Sequence, residues 1–145
     1  MSFRPFAASI IASFTLASAA YAASPAEVVQ RHVDSMKTGD ITRIMSDYSA
    51  DTVVVTPKGL VAGQTPADGP GVYSGATNAQ RVFATITAKP NLPGVKAMET
   101  RIEPVGMDGA LLYWVQNKGQ PNQVSGKDVF IVRNDKIVYQ AILVD

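Results

Sequence analysis

The stretch Pro25-Ala26-Glu27-Val28-Val29-Gln30-Arg31-His32-Val33-Asp34-Ser35-Met36-Lys37 sets how the rest of the chain is read. At about 100° per residue, Val28, Val29, His32, Val33 and Met36 share one arc, and Glu27, Gln30, Arg31, Asp34, Ser35 and Lys37 take the other. This predicts an amphipathic helix with one buried face. Pro25 lies where a missing N–H costs nothing, and Thr38-Gly39 ends the run with a residue suited to the left-handed cap. His32, the single histidine of the chain, is the one polar interruption of the apolar face. Burying an imidazole is unfavourable unless a partner meets its ring nitrogens, so something inside the fold must receive it.

Downstream, Asp40 is placed to cap a second short helix in which Ile41, Ile44, Met45 and Tyr48 repeat at helical spacing. At about Asp51 the period changes. Thr52 to Thr56 is β-branched and stops at Pro57, which predicts a short strand; a long Gly/Pro-rich loop, Lys58 to Gly71, follows. Val72 to Gly75 predicts another brief strand. Thr77-Asn78-Ala79-Gln80 has capping-box spacing before a helix carrying Val82, Phe83 and Ile86, which should stop near Lys89-Pro90. Four strand-like runs close the chain: Val95 to Val105, Ala110 to Asn117, Gln123 to Arg133 and Ile137 to Val144. Their short Gly-, Pro- and Asn-containing links predict antiparallel hairpins. The order α-α-β-β-α-β-β-β-β is an α+β arrangement, three helices covering one side of a curved sheet.

Upstream, the first residues read as an address. Arg4 gives a positive start, Ala7 to Ala19 is a run of small and apolar residues broken only by Ser and Thr, and Ala20-Tyr21-Ala22 fits an A-x-A cleavage pattern. Residues 1–22 are therefore expected to be a cleaved secretory signal peptide, cut after Ala22, with residues 23–145 as one exported domain, periplasmic or secreted. The apolar run is too short to span a bilayer and no second long one follows, so no membrane association is expected after processing. The chain has no cysteine, hence no disulfide framework and no lipid-modified cysteine. Loss of Arg4 leaves 12 basic against 12 acidic residues, a balance that argues against nucleic acid and gives no polybasic signal for an anionic membrane.

Val28-Val29-Gln30-Arg31-His32-Val33, Gly39-Asp40, Asp51-Thr52-Val53 with Pro57, Tyr73-Ser74-Gly75 before a helix, and Lys136-Ile137-Val138 together resemble the ketosteroid isomerase branch of the NTF2-like, or SnoaL-like, superfamily. The resemblance covers nearly all of residues 23–145. It implies an NTF2-like (cystatin-like) cone whose open end holds a small apolar or aromatic molecule, and a homodimer. It implies less about activity, because one fold hosts many chemistries. Position by position, the isomerase's first-helix hydrogen-bond donor falls on His32 and its second, a protonated acid in an apolar site, on Asp128. Its general base falls on Thr56, a neutral side chain that accepts no proton at ordinary pH. Asp68, in the long loop, is the substitute base the sequence offers.

Two functions remain open at this level. One is a non-catalytic binding domain with Thr56, Tyr48, Tyr73, Phe83, Tyr113, Trp114 and Phe130 contacting the bound molecule. The other is a cofactor-independent isomerase or dehydratase using His32 and Asp128 as an acid/base or hydrogen-bonding pair, of the kind that the resemblance to this superfamily, which includes scytalone dehydratase, implies. Strand alternation leaves Asp128 undecided: it shares a face with Phe130 and Val132, while Val129 and Ile131 take the other, and both faces are apolar. His32 also reads as an ordinary core histidine bonded to a backbone carbonyl, and the aromatic residues as plain core. One histidine, no cysteine and three glutamates give no metal-ligand spacing. No cofactor motif is present; the glycines between Gly59 and Gly71 lack the strand, helix and lysine of a phosphate loop.

Overall fold

The computed structural model describes residues 22–61 and 71–145. Helix α1 spans Pro25–Thr38 and α2 Ile41–Met45; strands β1 (Tyr48–Thr56) and β2 (Gly71–Ser74) follow, then helices α3 (Ala76–Ile86) and α4 (Leu92–Lys96). Strands β3 (Glu99–Val105), β4 (Gly109–Gln116), β5 (Val124–Arg133) and β6 (Lys136–Val144) complete the chain.

Helix α1 starts on a reciprocal capping box, with Ser24 accepting from the Glu27 N–H and the Glu27 carboxylate accepting from the Ser24 N–H at 2.7 Å. It ends at Gly39, whose φ of 72° is left-handed and whose bare Cα leaves room for the Leu92 side chain. The arc seen in the sequence is the buried one: Val28, Val29, His32, Val33 and Met36 all face inward. Full burial of such an apolar side chain contributes about 1.5–3 kcal/mol, so this one face accounts for a large share of the helix's attachment.

The six strands form one sheet in the order β2-β1-β6-β5-β4-β3. Every pairing is antiparallel except β1 with β6, which run parallel. Register irregularities fall in β1 between Tyr48 and Val53 and in the β5–β6 pairing beside Ile131 and Val132, where β6 carries the extra residue Val138; bulged strands bend and increase the local twist. The helices cover the concave face and build the core with Val54, Ala110, Leu112, Phe130, Ile137 and Ile142.

Four details differ from the sequence expectation. Tyr48 does not extend α2 but opens β1, because the Lys136 ammonium donates to the Ser46 carbonyl and the Ile137 N–H to the Asp47 carbonyl at 2.8 Å, drawing the chain into parallel pairing with β6. Helix α3 begins at Ala76 after Gly75 (φ 81°) and has no side-chain cap, so Thr77 lies already inside the helix. It also ends earlier, at Ile86. A fourth helix, α4, replaces the expected beginning of β3 at Val95; it carries Pro93 in its first turn, where proline is tolerated.

Candidate functional site

On the concave face, register fixes two neighbouring rows. Ile102, Leu112, Asp128 and Ile142 form one, and Ala110, Phe130, Gln140 and Val54 the next. Asp128 is buried with Gly126, Phe130 and Val132, which settles its face as inward. Trp114 on β4 and Gln140 on β6 approach it diagonally from either side. The Trp114 Nε1–H donates to Asp128 Oδ1 at 2.8 Å, and the Gln140 Nε2–H donates to Oδ2 at 2.7 Å. The indole has room because position 126 is glycine: a Cβ there would sit 2.5 Å from Trp114 Cζ2 and closer still to the Leu143 carbonyl oxygen.

His32 enters the same space from α1. Its Nε2 lies 3.2 Å from the Tyr48 hydroxyl, which in turn lies 2.5 Å from Gln140 Oε1. The rings of Tyr48, Phe83 and Phe130 surround the imidazole at centroid distances of 5.2, 5.6 and 5.7 Å. His32 and Asp128 thus do not touch as a direct pair; Tyr48 and Gln140 stand between them as the middle links of one buried chain.

The donors and acceptors of this chain are mutually determined. An ionised carboxylate only accepts, so Gln140 turns its N–H groups to Asp128 and its carbonyl to Tyr48. The tyrosine proton goes to that carbonyl, which leaves a lone pair to accept the Nε2–H of His32. The imidazole is then the Nε2–H tautomer with a bare Nδ1, and Nδ1 is buried with no hydrogen-bond partner among the described residues. With a proton on Asp128 the order can run the other way: Asp128 donates to a turned Gln140 amide, the amide to Tyr48, and Tyr48 to Nε2.

Burial moves each titrating member toward its neutral form. It lifts the Asp128 carboxyl to about 7, against the opposing pull of the Trp114 and Gln140 hydrogen bonds. It lowers His32 to about 4, with the Asp47 carboxylate opposing. Tyr48 is raised well above its ordinary value by burial, then by the negative charges of Asp128 and Asp47. Asp47, a buried acid after α2 that the sequence reading did not single out, accepts from Arg31 Nε at 2.6 Å. Only its distance in sequence from Arg31 hid it.

A cavity of about 550 Å³ opens over this chain. Its walls are Val33 and Met36 of α1, Phe83 and Ile86 of α3, Met98, and Leu112, Trp114 and Ile142 of the sheet; His32, Asp128 and Gln140 are the buried polar part. Asn91, Gln116, Asn117 and Asn122 bring carboxamides to the partly or fully exposed end.

Of the residues chosen from sequence, His32, Asp128, Phe83 and Trp114 line this cavity. Tyr48 and Phe130 stand behind the imidazole and do not line it. Thr56 is buried on β1 with its hydroxyl unpartnered among the described residues, away from the lining, and Tyr73 sits on the edge strand opposite Val54. Tyr113 belongs to the other face of the sheet, under the Arg101 guanidinium at 4.1 Å from its ring centre. A tyrosine between Leu112 and Trp114 on a strand must take the opposite face. Gln140 and Met98 also line the wall, and Gln140 is unmarked in the sequence because an isolated glutamine in a strand carries no signal. Asp68 falls outside the described residues. Among the described residues no group of three His, Asp or Glu could hold a metal ion.

No protein-family model and no curated protein matches this sequence. Solved structures do. An NTF2-like protein of unknown function from Burkholderia xenovorans LB400 aligns with a TM-score of 0.60 at 18% identity over 83% of this chain and 82% of its own. An uncharacterized cystatin-fold protein from Novosphingobium aromaticivorans aligns at 0.57 and 15% identity over 83% and 98%. TerC, co-crystallized with polyporic acid, aligns at 0.60 and 17% identity over 84% and 92%. At such identities the likeness establishes the architecture: this chain has the NTF2-like, cystatin-type α+β fold, with a curved six-stranded sheet under its helices.

Proposed function

We propose that this chain is a ligand-binding domain that holds a small apolar or aromatic molecule in the cavity between the sheet and α1, α3 and α4. The observation that carries this reading is a mostly apolar cavity of about 550 Å³ with His32 and Asp128, both strongly perturbed by burial, in its wall. Pockets of roughly 300–1,000 Å³ with a few convergent polar groups are the usual form of a small-molecule site. That a neighbour of this fold, TerC, was co-crystallized with polyporic acid supports the reading. Native mass spectrometry of the protein from its own source tests it: a co-purifying molecule is expected, and a bare protein whose Trp114 indole N–H resonance ignores a panel of aromatic compounds would count against it.

One observation favours a second reading, a cofactor-independent isomerase or dehydratase. A carboxyl lifted to about 7 holds a proton near neutral pH and is suited to general acid work, facing a neutral imidazole that can accept one. In that case His32→Ala and Asp128→Asn each abolish turnover while leaving the fold intact by circular dichroism. Thr56, buried outside the lining, offers no base in place of the one that ketosteroid isomerases use.

In the same proposal the domain belongs with the ketosteroid isomerase-like branch, is exported after loss of residues 1–22, and pairs with a second copy. What supports pairing is the outward sheet row Leu111, Val129, Ala141, Val55 and Val72, apolar throughout and half-exposed or exposed. Light scattering on Leu111→Lys against the parent protein tests it; a monomeric parent would end that part of the proposal.

A further inference from the structure

We infer that, with Asp128 ionised, the buried end of the cavity is an acceptor surface, so that the molecule it takes is uncharged at that end and buries a hydroxyl or N–H there, while anionic analogues of the same shape are rejected. This rests on the small-molecule reading above and names the ligand class.

Three observations converge on it. The first is the direction of the hydrogen-bond chain. The two N–H donors nearest the carboxylate, Trp114 Nε1 and Gln140 Nε2, already donate to Asp128, and the Tyr48 hydroxyl donates to Gln140. Apart from the second hydrogen of the Gln140 amide, what remains is lone pairs: one or more on each Asp128 oxygen, and that of His32 Nδ1, which has no partner among the described residues. The second is charge. Among the described residues no lysine or arginine lines the cavity, so an entering carboxylate or phosphate would face Asp128 with no cation from them to offset it. Two like charges in a site of low dielectric repel strongly, whereas a hydroxyl donating to the carboxylate makes a short charge-assisted bond. The third is shape. Phe83, packed edge-on against His32, and Trp114, bonded to Asp128, are part of the cavity wall beside the two polar groups, which suits an aromatic body behind the donor.

The result inverts the expectation drawn from the family resemblance, in which positions 32 and 128 would both donate to an oxyanion. With Asp128 ionised, neither donates into the cavity.

The test compares two probes of one shape, 2-naphthol and 2-naphthoate, at about pH 8, where the first is neutral and the second anionic. Trp114 is the single tryptophan, so its indole N–H gives one resonance to follow, with calorimetry for Kd. Naphthol is expected to bind at least about tenfold more tightly than naphthoate, and Asp128→Asn to shrink that gap to about threefold or less. Naphthoate binding as tightly as naphthol overturns the inference while the cavity reading stands. A gap that persists unchanged in a folded Asp128→Asn protein also overturns it, since the carboxylate would not be its source. If Asp128→Asn does not fold, the comparison in the parent protein decides alone. If neither probe nor naphthalene itself shifts the Trp114 resonance, both the inference and the reading beneath it fail.

Discussion

His32 and Asp128 should cancel each other in the pH dependence of stability, and removing either should uncover the other. Asp128 is an acid raised on folding from 3.8 to about 7, so between those values the folded state holds a proton that the unfolded state has lost. Its contribution is full below the unfolded value and is lost as pH rises toward 7, a fall of about 1.4 kcal/mol per pH unit. His32 is a base lowered from 6.5 to about 4, so in that interval the unfolded state binds the extra proton. Its contribution is full above 6.5 and is lost as pH falls through 4, a rise of about 1.4 kcal/mol per unit in the opposite sense. From pH 4.5 to 6.5 the two slopes offset, and the parent protein should stay within about 1 kcal/mol. Asp128→Asn leaves the histidine slope alone, so its stability should climb by about 2–3 kcal/mol over the same interval; His32→Phe should fall by a similar amount. Urea unfolding followed by Trp114 fluorescence at three pH values reads both. Each variant costs stability at every pH, but the slope is independent of that offset. An Asp128→Asn protein with a flat profile would refute the reasoning, because then His32 does not titrate as burial dictates.

Further tests address the packing and processing of the site. Tyr48→Phe breaks the chain at its middle and strands His32 Nε2 and Gln140 Oε1, which should cost about 1–3 kcal/mol in urea unfolding and broaden the Trp114 indole N–H resonance. Gly126→Ala places a methyl group against the Trp114 indole and the Leu143 carbonyl; a loss of about 1–3 kcal/mol and a red-shifted Trp114 emission are expected, and an unchanged spectrum would show that the indole does not lie across that glycine. Arg31→Ala leaves the buried Asp47 without its cation and should cost roughly 1–3 kcal/mol, less than a fully buried pair because Arg31 is half-exposed. If export removes residues 1–22, intact mass should correspond to residues 23–145 and the new Ala23 ammonium should pair with Asp135, whose Oδ1 already accepts the Ala23 N–H at 2.8 Å; Asp135→Asn should then lower stability by no more than about 1 kcal/mol.

The fold was legible because its signals are local and repetitive. The arc of α1, the glycine after it and the turns between the last four strands are each readable within a window of a dozen residues. Where reading went wrong, distant contacts overrode local pattern. Tyr48 keeps helical spacing with Ile41 and Ile44, but the tie from residues 46 and 47 to Lys136 and Ile137 pulls it into a strand. Helix α4 was hidden because Pro93 and Gly94 resemble breakers, and Pro93 is tolerated because it falls in the first turn of that helix. The site was half legible. His32 announced itself as the one polar group on a greasy face, but which partners meet it depends on register between β1, β5 and β6. Asp128 was ambiguous for the same reason: two apolar faces make alternation silent. Gln140 carried no mark at all, and Tyr113 and Trp114, adjacent on one strand, could not both face inward, but only the packing of β4 shows which of them does.

One member of the buried chain sets the tempo for the others. The Tyr48 hydroxyl reverses by a rotation of its O–H, but the Gln140 carboxamide reverses only by a half-turn about its last side-chain bond, in surroundings that leave it 1% exposed. Reversing the chain when Asp128 changes charge therefore calls for that amide to swing over inside packed surroundings, a mechanical step placed in series with the chemistry.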